Sequence, residues 1–304
     1  MDELTSIEKF NNYLLKQKMY SVHTVNGYLN DIHVFLRYVQ SEEYNLFSVD
    51  IPLIRNFLQC QLTEGISKRT LKRRLVSLKS FYSFLLEEKE ITINPFLNIS
   101  SLKIDKKLPE VLYEEEINLL FEENKKRSDK YVSRDQAIIE LLFASGLRVS
   151  ELCSIKLNNI QLKQRIIRVY GKGKKERIVP FSMSAQKTID IYMKTLRMEL
   201  SLKENSKHDN YLFLNEFGNP LTPRGVQYIL NSIEKKLGLG LSLHPHKFRH
   251  TFATTMLDRG ADLRTIQEIL GHESLSTTQV YTHVSTKRMK DDYSKYFPRS
   301  KKEK

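Results

Sequence analysis

"RIIRVYGKGKKERIVPF", residues 165–181, interrupts the rhythm of the rest of the chain. Ile166, Ile167, Val169, Ile178 and Val179 are β-branched and fall into two short runs, RIIRVY and ERIVPF. Such side chains lose rotamer freedom in a helix and suit a pleated surface. The GKGKK insert between the runs reads as a hairpin turn. Most of the chain outside it has helical spacing. One hairpin in a helical chain predicts a mainly α fold with a small β-sheet.

Toward the N-terminus the apolar residues repeat at three and four. Ile7, Phe10, Tyr13 and Leu14 form one stripe, and Tyr28, Ile32, Phe35, Leu36 and Val39 a second. A third helix opens with Asp50 as N-cap and Pro52 in its first turn, and carries Ile51, Ile54, Phe57, Leu58 and Leu62. A fourth opens at Ser67, with Leu71, Leu75, Leu78, Tyr82 and Leu85 on one face, and stops at Asn94–Phe96. Four amphipathic helices with short connections predict a bundle over residues 1–100. Residues 101–110, SLKIDKKLPE, have no hydrophobic period and read as a linker. Residues 111–304 form a second, mixed domain, with helices expected near 113–124, 134–145 and 184–200 and again after 221. No internal repeat occurs.

A chain of 304 residues suits two domains, and 40% hydrophobic with 28% charged residues suits a globular protein with a core. Cys60 and Cys153 lie far apart, make no metal spacing and read as core thiols in a reducing compartment. The N-terminus has no apolar segment of the signal-peptide kind, and no apolar run approaches the roughly 20 residues of a membrane helix. A cytoplasmic protein without a membrane role is expected. The net charge is +13, and it is unevenly spread. Residues 1–100 hold 12 basic and 11 acidic residues, whereas the remainder holds 37 and 25. That excess favours a polyanion, nucleic acid first and an anionic membrane second. Within the nearly neutral first domain, one helix carries Lys68, Arg69, Lys72, Arg73, Arg74 and Lys79. A solvated face would explain them, but the charges are one-signed, without balancing i,i+4 acids, so a phosphate-contacting face is expected.

Four clusters in the second half carry chemistry. ASGLRVSEL sets Arg148 after Gly146, with Glu151 three residues on. The hairpin turn holds Lys172. HPHKFRHTFATTML holds His246, Arg249 and His250, and GHESLSTTQVYTHV holds His272 and Tyr281. Each has a bland reading: a helix salt bridge, an exposed lysine, a half-buried tyrosine. His246 and His250 have the spacing of a helical metal pair, but no HExxH acid accompanies them and an arginine sits between them. GKGKK matches no P-loop pattern. Together the four suit one target, a phosphodiester. Two arginines offer permanently charged, bidentate donors for the non-bridging oxygens. Histidines add donors and move protons near neutral pH. A tyrosine phenol becomes a nucleophile when cations favour its phenolate, and a hairpin lysine can protonate the leaving alkoxide. No metal or cofactor is required.

In order and spacing these motifs resemble the tyrosine recombinases, the phage integrase family. They run from Arg148 in SGLRVSEL through Lys172 in GKGKKERIVP and HKFRHTFAT to Gly271-His272 and Tyr281. Phe248 replaces the leucine common in the third motif. The chain resembles Xer-type members most closely, those that resolve chromosome dimers. The resemblance implies a SAM-like helical core-binding domain followed by an α+β catalytic domain, closing as a clamp on double-stranded DNA. It implies that Tyr281 attacks the scissile phosphate to give a 3′-phosphotyrosine link and a free 5′ hydroxyl. Arg148 and Arg249 would bind the non-bridging oxygens, Lys172 act as general acid, and His246 and His272 complete the pocket. Glu151 would orient Arg148, and His250 would be structural. Strand exchange would take four protomers on two duplexes, of one kind or with a paralogue, with a DNA translocase as a candidate activator. The tail DDYSKYFPRSKKEK would pack on a neighbouring protomer through Tyr293, Tyr296 and Phe297.

Three alternatives stay open at this point. A phage or transposon integrase or a type IB topoisomerase would share the chemistry. A non-catalytic helix-turn-helix regulator would explain residues 263–277, though not the Arg, Lys and Tyr set.

Overall fold

The structure, a computed structural model, describes residues 2–100, 110–171, 176–203, 210–271 and 286–300. The chain divides into two compact units, residues 1–107 and 108–304.

Unit 1 is built on helices α1 (Glu3–Lys16), α2 (Val22–Ser41), α3 (Ile51–Thr63) and α4 (Lys68–Glu87), followed by a 3-10 turn at Pro95–Asn98. The side chains of Ser21, Asp50 and Ser67 accept backbone N–H groups at the starts of α2, α3 and α4, satisfying donors that have no partner inside the helix. Phe10, Phe35, Phe57, Phe81, Tyr82 and Phe96 fill the core, each at most 1% exposed. Phe35 meets Phe57 edge-on at 4.9 Å between centroids, and Tyr82 donates its hydroxyl to the Leu46 carbonyl at 2.8 Å. Burying each ring contributes about 1.5–3 kcal/mol.

Two details depart from the simple stripes. Leu62 is 40% exposed, and its neighbour Gln61 is buried in its place. The reason lies in Asp31, which is fully buried and hydrogen-bonded to Arg73, Arg74 and Ser77, while Arg74 also bonds Gln61. A buried carboxylate demands such partners, and meeting them sets the rotation of α3.

Unit 2 is organised around α6 (Val132–Ser145), of which residues 134–145 are all buried. It is wrapped by α5 (Glu114–Lys125), α8 (Met183–Lys194) and α11 (Pro245–Asp258). After α6 come the short α7 (Val149–Cys153) and an antiparallel sheet in the order β1 (Ile160–Gln161), β2 (Ile166–Tyr170), β3 (Glu176–Pro180). Strands β2 and β3 pair Ile167 with Val179 and Val169 with Arg177, and β1 is an addition to the expected hairpin. The helix expected over 184–200 is broken at Thr195 into α8 and α9 (Leu196–Ser201). Then follow α10 (Pro223–Leu237), α11, α12 (Leu263–Leu270) and α13 (Thr286–Tyr296). No helix among the described residues is long and apolar enough to cross a membrane.

The tail corrects one expectation. Tyr293 and Phe297, read as anchors for a neighbouring protomer, are 2% and 3% exposed within their own unit, and Tyr296 packs partly buried beside them. Tyr293 donates to the Ala144 carbonyl at 2.7 Å, and Phe297 lies against Phe143 and Phe252 at 5.1 and 5.6 Å. These rings are already covered by the end of α6 and by α11, the nearest apolar surface the chain offers them. Cys60 is a second correction: it is half-exposed and points at Glu64, so only Cys153 is a core thiol.

Candidate active site

Three chain segments bring the basic residues of unit 2 together. α6 ends at Gly146, whose φ of +59° is left-handed, and a Cβ there would lie 2.6 Å from Phe252 and 2.8 Å from Leu270. Only glycine meets both demands at that turn. Two residues later Arg148 stands in extended backbone as the N-cap of α7. Its backbone N–H donates to Glu151 Oε2 at 2.8 Å, and its Nη1 to Oε1 at 3.1 Å. The guanidinium also reaches the end of α12, donating to the Gly271 carbonyl at 3.1 Å.

Arg249 arrives from α11. That helix starts at His244, whose Nδ1 accepts the Lys247 N–H at 3.1 Å. Burial, then the charges of His246 and Lys247, lowers the His244 pKa, so the neutral ring that can accept is favoured. Arg249 is 8% exposed and donates to the carbonyls of Gly146 and Leu270, both at 2.7 Å. Burial, and after it the Arg148 charge, lowers its pKa to about 10, with Glu151 pulling the other way. At pH 7 it keeps its charge.

A third arginine was not among the sequence candidates. Arg177, on β3, forks onto Glu151 at 2.7 and 2.9 Å and donates from Nε to the Ile269 carbonyl at 2.8 Å. A signal for it existed: strand alternation puts Arg177 on the face of Val179, which is fully buried. An inward-facing charge needs a partner. Burial alone would raise the Glu151 carboxyl, but hydrogen bonding and charge from Arg177, then Arg148, overcome it and hold Glu151 below the usual range. The result is three guanidiniums around one carboxylate, all seated on carbonyls at the C-terminal end of α12, where the helix dipole is negative.

The structure therefore brings Arg148, Arg249 and Glu151 together. His246 is exposed one turn before Arg249 on α11, and His250 is exposed one turn further along from His246. Lys172, His272 and Tyr281 lie outside the described residues. The basic face of α4 needs a correction. Lys68, Arg69, Lys72 and Lys79 are exposed, but Arg74 is buried against Asp31 and Gln61, and Arg73 is tied to Asp31. Arg74 therefore leaves the proposed contact face, because the buried carboxylate holds it inside.

This geometry, two arginines converging beside the chain that leads into His272, is joined by comparison with known proteins. The phage integrase family matches residues 110–288, and the SAM-like N-terminal domain of phage integrases matches residues 7–89. The chain belongs to the phage integrase family and is a tyrosine site-specific recombinase of the Xer type. It is 44% identical over 294 residues to tyrosine recombinase XerC of Bacillus licheniformis, with 96% of each chain covered. It is 41% identical over 295 residues to XerC of Bacillus subtilis, covering 97% of this chain and 96% of that one. Among solved structures, the post-cleavage complex of the XerH recombinase on palindromic difH substrate has a TM-score of 0.69 at 26% identity, covering 95% of this chain and 83% of that one. The Tn1549 transposon integrase shares the fold, with a TM-score of 0.70 at 20% identity over 88% of this chain and 92% of its own.

Proposed function

We propose that the protein cuts and rejoins one strand of duplex DNA at a time, at a defined site, through a covalent link to Tyr281. The observation that carries this reading is the convergence of Arg148 and Arg249 on the α12 end, at the carbonyls of Leu270 and Gly271. His272 is the next residue in the chain and Tyr281 follows nine residues later. Arg148 and Arg249 hold the non-bridging oxygens of the scissile phosphate and stabilise the charge that builds there. The Tyr281 phenol oxygen bonds to phosphorus, and the bond from phosphorus to the 5′ oxygen breaks. Lys172 gives its proton to that 5′ oxygen, while His246 and His272 serve the phosphate and the departing phenol proton. The phosphotyrosine bond keeps the energy of the broken diester, so attack by a 5′ hydroxyl rejoins strands without further input.

The exposed cations of α4 and the arginines at the α12 end contact duplex phosphates, so affinity falls steeply with salt. Full-length likeness to XerC proteins favours the resolution of chromosome dimers in the cytoplasm over the life cycle of a mobile element. Four protomers then hold two duplexes, alone or with a paralogue, and a DNA translocase is the candidate activator.

Covalent trapping tests the reading. Nicked suicide duplexes carrying candidate resolution sites of the host should give a protein–DNA adduct that maps to Tyr281. Tyr281→Phe should bind the duplex and give none. Binding without an adduct on every such duplex, with paralogue added, would defeat the proposal.

A further inference from the structure

Arg177 lies within the GKGKKERIVP motif but has none of the roles assigned above, and all three of its guanidinium nitrogens bond to protein. Its side chain is 13% exposed. It grows from β3, opposite Val169 of β2, and stands five residues after Lys172 in the hairpin sequence. At its far end it grips both Glu151 oxygens and the last turn of α12. Gly271 is shaped around it: at φ +66° a Cβ on that residue would lie 3.0 Å from the Arg177 guanidinium.

We propose that Arg177 is a positioning residue for strand cleavage, fixing Glu151, and through it Arg148, to β3, the strand that follows Lys172 in the sequence. The proposal rests on the roles given above to Arg148, Lys172 and Tyr281.

The physical case has two parts. First, Glu151 is the one carboxylate among the anchors of Arg148, beside the Gly271 carbonyl, and a carboxylate gripped by one partner at an edge can swing about its Cγ–Cδ bond. A fork across both oxygens removes that freedom, because the planar guanidinium matches the planar carboxylate. An arginine that must meet a phosphate within a few tenths of an ångström needs such support. Second, the fork keeps Glu151 charged. Among the described residues, the ionisable groups facing Glu151 are Arg148 at the start of α7, Arg177 from β3 and Arg249 from α11, while α12 presents carbonyls. Arg177 gives the largest of the effects that lower the Glu151 pKa. Without it burial regains ground, the pKa rises, and a protonated Glu151 grips Arg148 less.

The test is single-turnover adduct formation on a suicide duplex, from pH 5 to 8, with Arg177→Gln, Arg177→Lys, Glu151→Gln and the Arg177→Gln/Glu151→Gln pair. Arg177→Gln should slow cleavage about ten- to a hundredfold, the scale seen when a support behind a site is lost, with duplex affinity within about twofold. The loss should deepen as the pH falls, since the partner that holds the Glu151 carboxyl down is gone. The double variant should match Glu151→Gln in rate and have no added pH dependence. Arg177→Lys, able to hold one oxygen, should recover part of the rate. A purely structural role would instead give equal losses at every pH, additive with Glu151→Gln, and that outcome overturns the proposal, as does a wild-type rate in Arg177→Gln. NMR titration of the Glu151 carboxyl separates this inference from the reading beneath it. Should wild type give no Tyr281 adduct, that reading fails by itself. An unchanged Glu151 titration in Arg177→Gln defeats the positioning role whatever the cleavage assay gives.

Discussion

Each unit contains a carboxylate gripped by arginines, and the two clusters do opposite things. In unit 1, Asp31 is fully buried and takes Arg73, Arg74 and Ser77, while Arg74 turns on to Gln61. These bonds join α2, α3 and α4, and the Arg74 side chain is only 8% exposed. In unit 2, Glu151 takes Arg148 and Arg177, with Arg249 beside them on carbonyls. There one carboxylate faces three guanidiniums, and the Arg148 side chain is 42% exposed. The first cluster braces a bundle. The second keeps an excess of positive charge on a rigid seat, which is what an anionic ligand needs. Residue type does not separate a brace from a site, and exposure alone does not either, since the Arg73 side chain is 51% exposed; the larger excess of positive charge around Glu151 does.

The largest effect should come from the brace. Asp31→Ala leaves Arg74 buried without its carboxylate, and breaking a buried pair this way costs about 3–5 kcal/mol. Urea unfolding followed by circular dichroism should show that loss. A cost under about 1 kcal/mol would mean that Arg74 finds water, and that the first cluster is as open as the second.

Next comes the open donor. Arg148→Lys should lower the adduct rate about 10²- to 10³-fold, the scale of losing one preorganised donor to a transition-state oxygen. Its stability should change by less than about 1 kcal/mol, because the side chain is half-exposed. Chemistry lost with stability kept is the inverse of Asp31→Ala. A variant that instead unfolds early would make the second cluster a brace as well.

How much of this was legible follows the same division. The helices of unit 1, their caps at Asp50 and Ser67, and the pairing of β2 with β3 follow from local spacing and from side-chain oxygens placed before an apolar run. Arg148, Glu151 and Arg249 were legible because few chemistries need two arginines in those surroundings. Asp31 and Arg177 were passed over for one reason. A single charge on an apolar face looks like noise in one dimension, since its partner lies 42 or more residues away for Asp31 and 26 away for Arg177. The same blindness put Arg74 on the outer face of α4. The tail rings of Tyr293 and Phe297 were read as apolar correctly, but nothing local tells whether their cover comes from the same chain. Lys172, His272 and Tyr281 rest on sequence, as they lie outside the described residues.

The smallest effect on stability belongs to the cations in neither cluster. Lys72 is exposed on α4 and takes part in no ion pair among the described residues. Lys72→Gln should change stability by about 0.5 kcal/mol at most. As a phosphate contact, however, it neutralises one charge on the duplex, so its removal should reduce the slope of log affinity against log salt by about one, equally on cognate and unrelated duplexes. Arg74→Met is the partner measurement. Its charge is turned inward to Asp31, so the salt slope should stay while stability falls. A Lys72→Gln slope equal to wild type would take α4 off the duplex. A reduced slope in Arg74→Met, with stability kept, would put Arg74 back on the contact face and make the Asp31 cluster a second open site.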